Sequence, residues 1–223
     1  EKTAHLMEMI AYRRGMGDIL ADGWDEAARE LGPEAEKCRE YMRGKGIEPG
    51  FDARANLGTE ALSPLTTPKG AHWTMGLSVT VVPGRKPEQL ARYAQKIGAP
   101  ADAVERMVNP AAPGRYSGLH SGRLLKYVED FNAVLYSFGI CNRPPILRLY
   151  GLEECAKFLS AAAGMDIDPA VLPQVGERVV NSLIMFNVRE GFDRESFRYP
   201  SMWLTEEMKV GDRETPHLTQ EEV

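Results

Sequence analysis

Cysteine is scarce in this chain. There are three, Cys38, Cys141 and Cys155, and no two of them stand in a C-x-x-C spacing. An odd, sparse set excludes a disulfide scaffold and suits a reducing compartment, so the chain reads as cytoplasmic. Long apolar runs are missing too. No stretch approaches the ~18 consecutive apolar residues that span a bilayer, and no signal-peptide pattern opens the chain. Excess positive charge is also absent: 27 Lys and Arg stand against 32 Asp and Glu, a formal net charge of −5. Without a basic cluster to offset that balance, non-specific nucleic-acid binding is excluded. Strand-like text is nearly lacking as well. One short run within residues 76–86, Leu77-Ser-Val-Thr-Val-Val82, ends at Pro83-Gly84 and fits a buried helical turn equally well.

What is present is helical periodicity. The 223 residues, 43% of them hydrophobic, suffice for one good-sized core or two small ones. The spacing predicts helices over 2–14, from Asp18 to Leu31 with Gly32 as its stop, and from Pro33 onward with Cys38 and Tyr41-Met42 facing inward. Further helices are predicted from Pro87 to Ile97, over Ala101–Val108, over Tyr116–Phe138, and over Leu152–Ala163 ending at Gly164. The last large helical region follows Asp168-Pro169 and reaches about Val188. Cys155, on an apolar face, reads as core. Asn109-Pro-Ala-Ala-Pro-Gly114 is the strongest internal boundary, because its prolines and glycine punctuate both neighbouring patterns. The expected organisation is all-α: an irregular multi-helix bundle of two closely associated domains, 1–112 and 113–223. Glu1 opens without Met straight into a helical pattern, and Thr219-Gln-Glu-Glu222 is a capping box cut short at Val223. The chain therefore reads as a fragment of a longer polypeptide.

The long helix leads into Tyr136-Ser-Phe-Gly-Ile-Cys141, followed by Asn142, Arg143 and Pro144-Pro145. Gly139 permits a left-handed turn, and the two prolines forbid helix continuation. A cysteine is thus held at the mouth of a helix beside an arginine. On the residues alone, Cys141 reads first as a small buried hydrophobe and second as a ligand.

Several stretches resemble one family. Tyr136-Ser-Phe-Gly-Ile-Cys141 is similar to the Asp-x-x-Gly-Leu-Cys motif of the aldehyde:ferredoxin oxidoreductases, enzymes that depend on tungsten or molybdenum. Tyr136 stands where that family has Asp. Gly176-Glu-Arg-Val-Val-Asn-Ser-Leu-Ile-Met-Phe-Asn-Val-Arg-Glu-Gly-Phe192 is similar to the family's Gly-Glu-Arg-x-x-Asn-Leu-x-x-x-Phe-Asn-x-Arg-Glu-Gly-Phe signature. Read from the residues, Val179, Leu183, Phe186 and Asn187 share a face of a scaffold helix. Lys45-Gly-Ile-Glu-Pro-Gly-Phe-Asp-Ala-Arg54 resembles Lys-Gly-x-Glu-x-x-x-Tyr-Asp-Pro-Arg. On residues alone it is a solvated loop in which Arg54 pairs with Asp52 or Glu48. Ser63-Pro-Leu-Thr-Thr-Pro-Lys-Gly-Ala-His-Trp73 is similar to Ala-Thr-Ser-Pro-Arg-Gly-Ala-Cys-His. An ungapped match sets His72 on the family's Cys and Trp73 on its His, with Lys69 replacing Arg.

The resemblance implies the two C-terminal helical domains of a bis-pterin, iron–sulfur oxidoreductase that oxidises aldehydes to carboxylates and delivers electrons to ferredoxin. It implies a tungsten (or molybdenum) bis-pterin and a [4Fe–4S] cluster as cofactors of the full-length protein, and an absent N-terminal pterin-binding domain as a partner. It makes Cys141 a cluster ligand. Tyr136, Arg143, Lys69 and Arg54 become cofactor-binding residues, in part through a loop at 45–73 that faces the cofactor. His72 becomes the catalytic proton donor or acceptor. A small aldehyde is the implied substrate, and there is room for a homo-oligomer. Two alternatives stand beside this reading: a tungsten subunit of an aromatic acyl-CoA reductase of the same family, and a helical interaction module without a cofactor.

Overall fold

The structure, a computed structural model, describes residues 2–42, 52–55, 58–70, 73–78, 86–107, 120–143 and 149–219. Among them the regular structure is helical apart from one small hairpin, as the all-α reading expects. It divides into two compact units, residues 1–43 with 200–202 and residues 44–199 with 203–223. The boundary expected at 109–114 lies outside the described residues.

The first unit holds α1 (Lys2–Ala11), α2 (Met16–Ala21), α3 (Trp24–Leu31) and α4 (Pro33–Met42). The helix expected over Asp18–Leu31 is two helices. Gly23 sits at φ 91°, and a left-handed residue cannot continue a right-handed helix, so α2 ends and α3 begins there. α2 lies directly on α1, because a Cβ added at Gly17 would stand 2.2 Å from the carbonyl carbon of Met9. Arg13 ties the start of α2 to its end through Asp18 and Asp22. Ala27 and Ala28 of α3 are fully buried. Cys38, expected on the inner side of α4, is exposed.

The second unit contains α5 (Thr59–Thr66), α6 (Pro87–Lys96), α7 (Ala101–Met107), α8 (Ser121–Ser137), α9 (Leu152–Ala163) and α10 (Leu172–Arg189). A short α11 (Ser201–Thr205) follows, its first two residues belonging to the 200–202 segment of the first unit. The expected capping devices are in place. Pro87 opens α6, Gly164 ends α9 at φ 68°, and Asp168 accepts from Ala170 N at 2.9 Å ahead of α10. The strand-like run from Leu77 lies mostly outside the described residues. Pairing occurs instead between β1 (Met208–Val210) and β2 (Arg213–Thr215), antiparallel with Met208 opposite Thr215. Gly211, at φ 60°, makes their two-residue Gly-Asp turn.

α8 is the axis of this unit. Leu124, Val128, Phe131, Val134 and Leu135 are at most 2% exposed and meet Leu90, Ile97, Met107, Leu152, Cys155 and Leu172. Each such side chain contributes about 1.5–3 kcal/mol on burial. The helix is buried beyond its apolar stripe, since Glu129, Asp130 and Asn132 are buried as well. On another side it meets α10, where the approach is set by Gly176: an added Cβ would lie 2.1 Å from the Asp130 carbonyl oxygen.

The buried positions of α10 are Leu172, Gly176 and Val180, with Val179 and Ile184 packed partly against Ala133 and Met75. Leu183 and Phe186, expected with Val179 on one packed face, are 41% and 53% exposed. The close approach at Gly176 selects the i, i+4, i+8 row through that residue, which turns its neighbours outward. No helix of the described residues is long and apolar enough to cross a membrane.

Candidate functional site

The end of α8 carries a glycine cap built from a double hydrogen bond. Ile140 N donates to Leu135 O at 2.9 Å and Gly139 N to Tyr136 O at 3.0 Å, with Gly139 at φ 69°. This pairing satisfies the last carbonyls and reverses the chain. Ile140 then packs on the core, and Asn142 is buried with its Nδ2 donating to Thr74 O at 2.6 Å. Between these two anchored neighbours Cys141 is exposed. The reading of Cys141 as a small buried hydrophobe is therefore overturned: the cap points one residue inward on each side and the thiol outward. Cys155 shows the contrast. It is fully buried in α9, and desolvation pushes its thiol up to about 11.

Beside this turn lie two of the other candidate residues. Tyr136, on the last turn of α8, is half-buried and donates its hydroxyl to Thr74 O at 3.3 Å. Burial pushes its phenol above the ordinary tyrosine range. The Lys69 ammonium stands 4.6 Å from the centre of the Tyr136 ring, within cation–π range. The substituted motif position and the substituted Arg position thus meet each other. Asn187 of α10 holds the residue before Lys69, its Nδ2 donating to Pro68 O at 2.7 Å. Arg143 is exposed two residues beyond Cys141. His72 lies outside the described residues.

Arg54 has a different setting. It is 4% exposed, and its guanidinium grips Asp52 through Nε at 3.1 Å and Nη2 at 2.7 Å. Nη1 donates to Glu206 O at 2.9 Å, which ties residues 52–55 to the segment after α11. The expected Arg54–Asp52 pair is present, but its guanidinium is buried and its carboxylate only partly exposed rather than fully solvated, so it fastens tertiary structure.

Between α5 and α8 runs a polar interior that sequence reasoning did not single out. Glu129 accepts from Thr66 Oγ1 at 2.6 Å and from Ser63 Oγ at 3.3 Å. Asn132 donates to Met75 O at 2.7 Å and to Leu77 O at 3.0 Å. Thr59 and Ser78 share a hydroxyl–hydroxyl bond of 2.7 Å. The missed signal was three polar residues, Glu129, Asp130 and Asn132, inside an otherwise apolar helical run. A charged or amide group at such a position must find a buried partner. Among the described residues no three His, Cys, Asp or Glu side chains gather as a metal-binding group. Cys141 offers one exposed sulfur donor on the turn, a fit for a single ligand position.

Residues 1–222 match the family model described as aldehyde ferredoxin oxidoreductase, domains 2 and 3. The chain is 27% identical over 216 residues to the tungsten-containing aldehyde ferredoxin oxidoreductase of Thermococcus kodakarensis. The proteins of the same name from Pyrococcus furiosus and Pyrococcus horikoshii are 27% and 26% identical over 216 residues. In each case the match covers 95% of this chain and 30% of the relative's length. No solved structure matches the chain significantly. The chain belongs to the aldehyde ferredoxin oxidoreductase family, matching its domains 2 and 3.

Proposed function

We propose that this chain is the helical part of a tungsten (or molybdenum) bis-pterin, iron–sulfur enzyme that oxidises small aldehydes to carboxylic acids and passes electrons to ferredoxin. The observation that carries the reading is the outward thiol of Cys141, held between the inward-anchored Ile140 and Asn142. One thiolate holds one corner of a [4Fe–4S] cluster, so the proposal places the other three ligands in a pterin-binding domain N-terminal to these residues. When bound, the metal centre supplies the two-electron oxidation and the cluster the one-electron relay. In this chain, Cys141 would ligate the cluster, while Lys69, Tyr136 and Arg143 would line the cofactor edge. His72 would hold or move a proton at its imidazole. Arg54 would act by fixing the 52–55 turn. The division at residue 112 and a cytoplasmic location belong to the same proposal.

The test is metal and iron content of the intact protein with its cysteine variants. Cys141→Ser should lower iron and abolish the cluster's electron paramagnetic resonance signal. Cys38→Ser and Cys155→Ser should leave both unchanged. Equal iron and an unchanged signal in Cys141→Ser would sink the assignment.

One observation favours a second reading, a helical module without a cofactor. The Tyr136 hydroxyl donates to Thr74 O and its ring lies under Lys69, an inward use of two positions that the first reading turns towards a cofactor. Absence of stoichiometric tungsten, molybdenum and iron from the intact protein would establish it.

A further inference from the structure

Asn187 belongs to the 176–192 signature of the scaffold helix, yet its side chain reaches off the helix. Its Nδ2 donates to Pro68 O at 2.7 Å across 119 residues of sequence. The same segment is held again at Thr74 O, by Asn142 Nδ2 at 2.6 Å and by the Tyr136 hydroxyl at 3.3 Å. Asn132 takes the next carbonyls, Met75 O at 2.7 Å and Leu77 O at 3.0 Å. Side-chain donors from α8, from the turn after it and from α10 therefore grip the backbone on both sides of Lys69. Thr74 and Met75 lie in a single 3-10 turn, Trp73–Gly76, where Leu77 N donates to Thr74 O at 3.2 Å; a turn this short leaves carbonyls open to further donors. Here carboxamides supply them, and a carboxamide gives a directed bond without adding charge. Asn187 fixes the residue immediately before Lys69, whose ammonium then stands 4.6 Å over the Tyr136 ring. The phenol that receives the cation is the same group that grips Thr74, so the two ends of the clamp share one side chain.

We propose that Asn187 and Asn142 are positioning residues: they clamp the backbone at Pro68 and Thr74 so that Lys69 is preformed as a wall of the site beside Cys141. The role in a site rests on the oxidoreductase reading above, whereas the clamp itself does not. Neither residue touches reacting atoms; each acts through the segment it holds.

The experiment compares Asn187→Asp and Asn142→Asp in the intact protein. Each variant keeps the side-chain shape and removes the N–H donor. Asn181→Asp, an exposed change on the same helix, controls for added charge. Backbone hydrogen exchange at Lys69, Gly70, Met75 and Leu77 should quicken about 2- to 12-fold for each clamp variant, the range for one lost hydrogen bond. Exchange within Val128–Leu135 and in Asn181→Asp should stay as in the parent. If either clamp variant fails to fold, the other carries the measurement. With an aldehyde substrate and an acceptor dye, kcat/KM should fall about tenfold, carried by KM. A merely structural loss would lower the active fraction at constant KM.

Unchanged exchange at Lys69 to Leu77, or a uniform rise that includes α8, would overturn the clamp. Faster exchange with unaltered KM would overturn its positioning role. If the parent protein holds no metal and turns over no aldehyde, the functional reading fails. The clamp is then judged by exchange alone.

Discussion

Replacing Gly176 by alanine should destabilise the second unit, although the same change in an open helix stabilises. The helical gain is about 1 kcal/mol, because alanine loses less backbone freedom than glycine on folding. Against it stands the contact. The new methyl would lie 2.1 Å from the Asp130 carbonyl oxygen and 2.8 Å from its carbon. Ordinary contact begins about 1 Å farther out, and the obstacle is backbone, so no rotamer change relieves it. α8 and α10 must separate along the line where Leu172 and Val180 are buried. Overpacking of this kind costs about 1–3 kcal/mol, and an immovable neighbour puts it at the upper end. The net loss is then about 2 kcal/mol, or roughly 4–8 °C in Tm for a body of this size. Gly122 of α8 is the matched control, since nothing stands within 4 Å of its added Cβ. Gly122→Ala should raise Tm by about 2–4 °C, equivalent to up to ~1 kcal/mol. Thermal melts followed by helical circular dichroism give both signs. A Gly176→Ala melt at or above the parent's would refute the close-approach argument.

Cys38 and Cys141 should be alkylated in the folded, metal-free chain and Cys155 should not, as counted by intact mass. A third adduct before unfolding would contradict its burial. The Cys155 thiol also sets a pH dependence. Its folded value, raised from 9.0 to about 11 by burial, keeps the neutral form favoured, so its contribution to stability is complete below about pH 9 and is lost as pH rises towards 11. Cys155→Ala should flatten that part of the stability–pH curve, and an unchanged slope would count against it. Arg54→Ala should cost about 2–4 kcal/mol by taking the guanidinium from the Asp52 carboxylate and the Glu206 carbonyl, read as a lower urea midpoint. If the proposed function holds, His72→Ala in the intact protein should reduce turnover by roughly 10²–10⁴-fold with cofactor content retained. A change of only a few-fold would remove His72 from the proton-transfer role.

Much of the helical plan is local in origin, and the sequence carries it. Pro87, Gly164 and Asp168-Pro169 set helix ends through their own φ preferences and missing or added hydrogen bonds. The apolar rows of α8 and α9 needed no partner to be recognised. The Gly139 turn and the family signatures were legible for the same reason. Other features depend on contacts between residues far apart in the chain. That Gly23 breaks a helix while Gly17 lets two helices touch could not be told from glycine alone, because both uses start from the same missing Cβ. The packed row of α10 was decided by Gly176 meeting Asp130, not by the hydrophobicity of Leu183 or Phe186. The exposure of Cys141 arose from anchors on both sides, Ile140 in the core and Asn142 on Thr74, the second of them 68 residues apart in sequence. Periodicity reports which side of a helix prefers to be dry. Which backbone lies against it, and which carboxamide crosses to hold that backbone, are settled only when the elements pack.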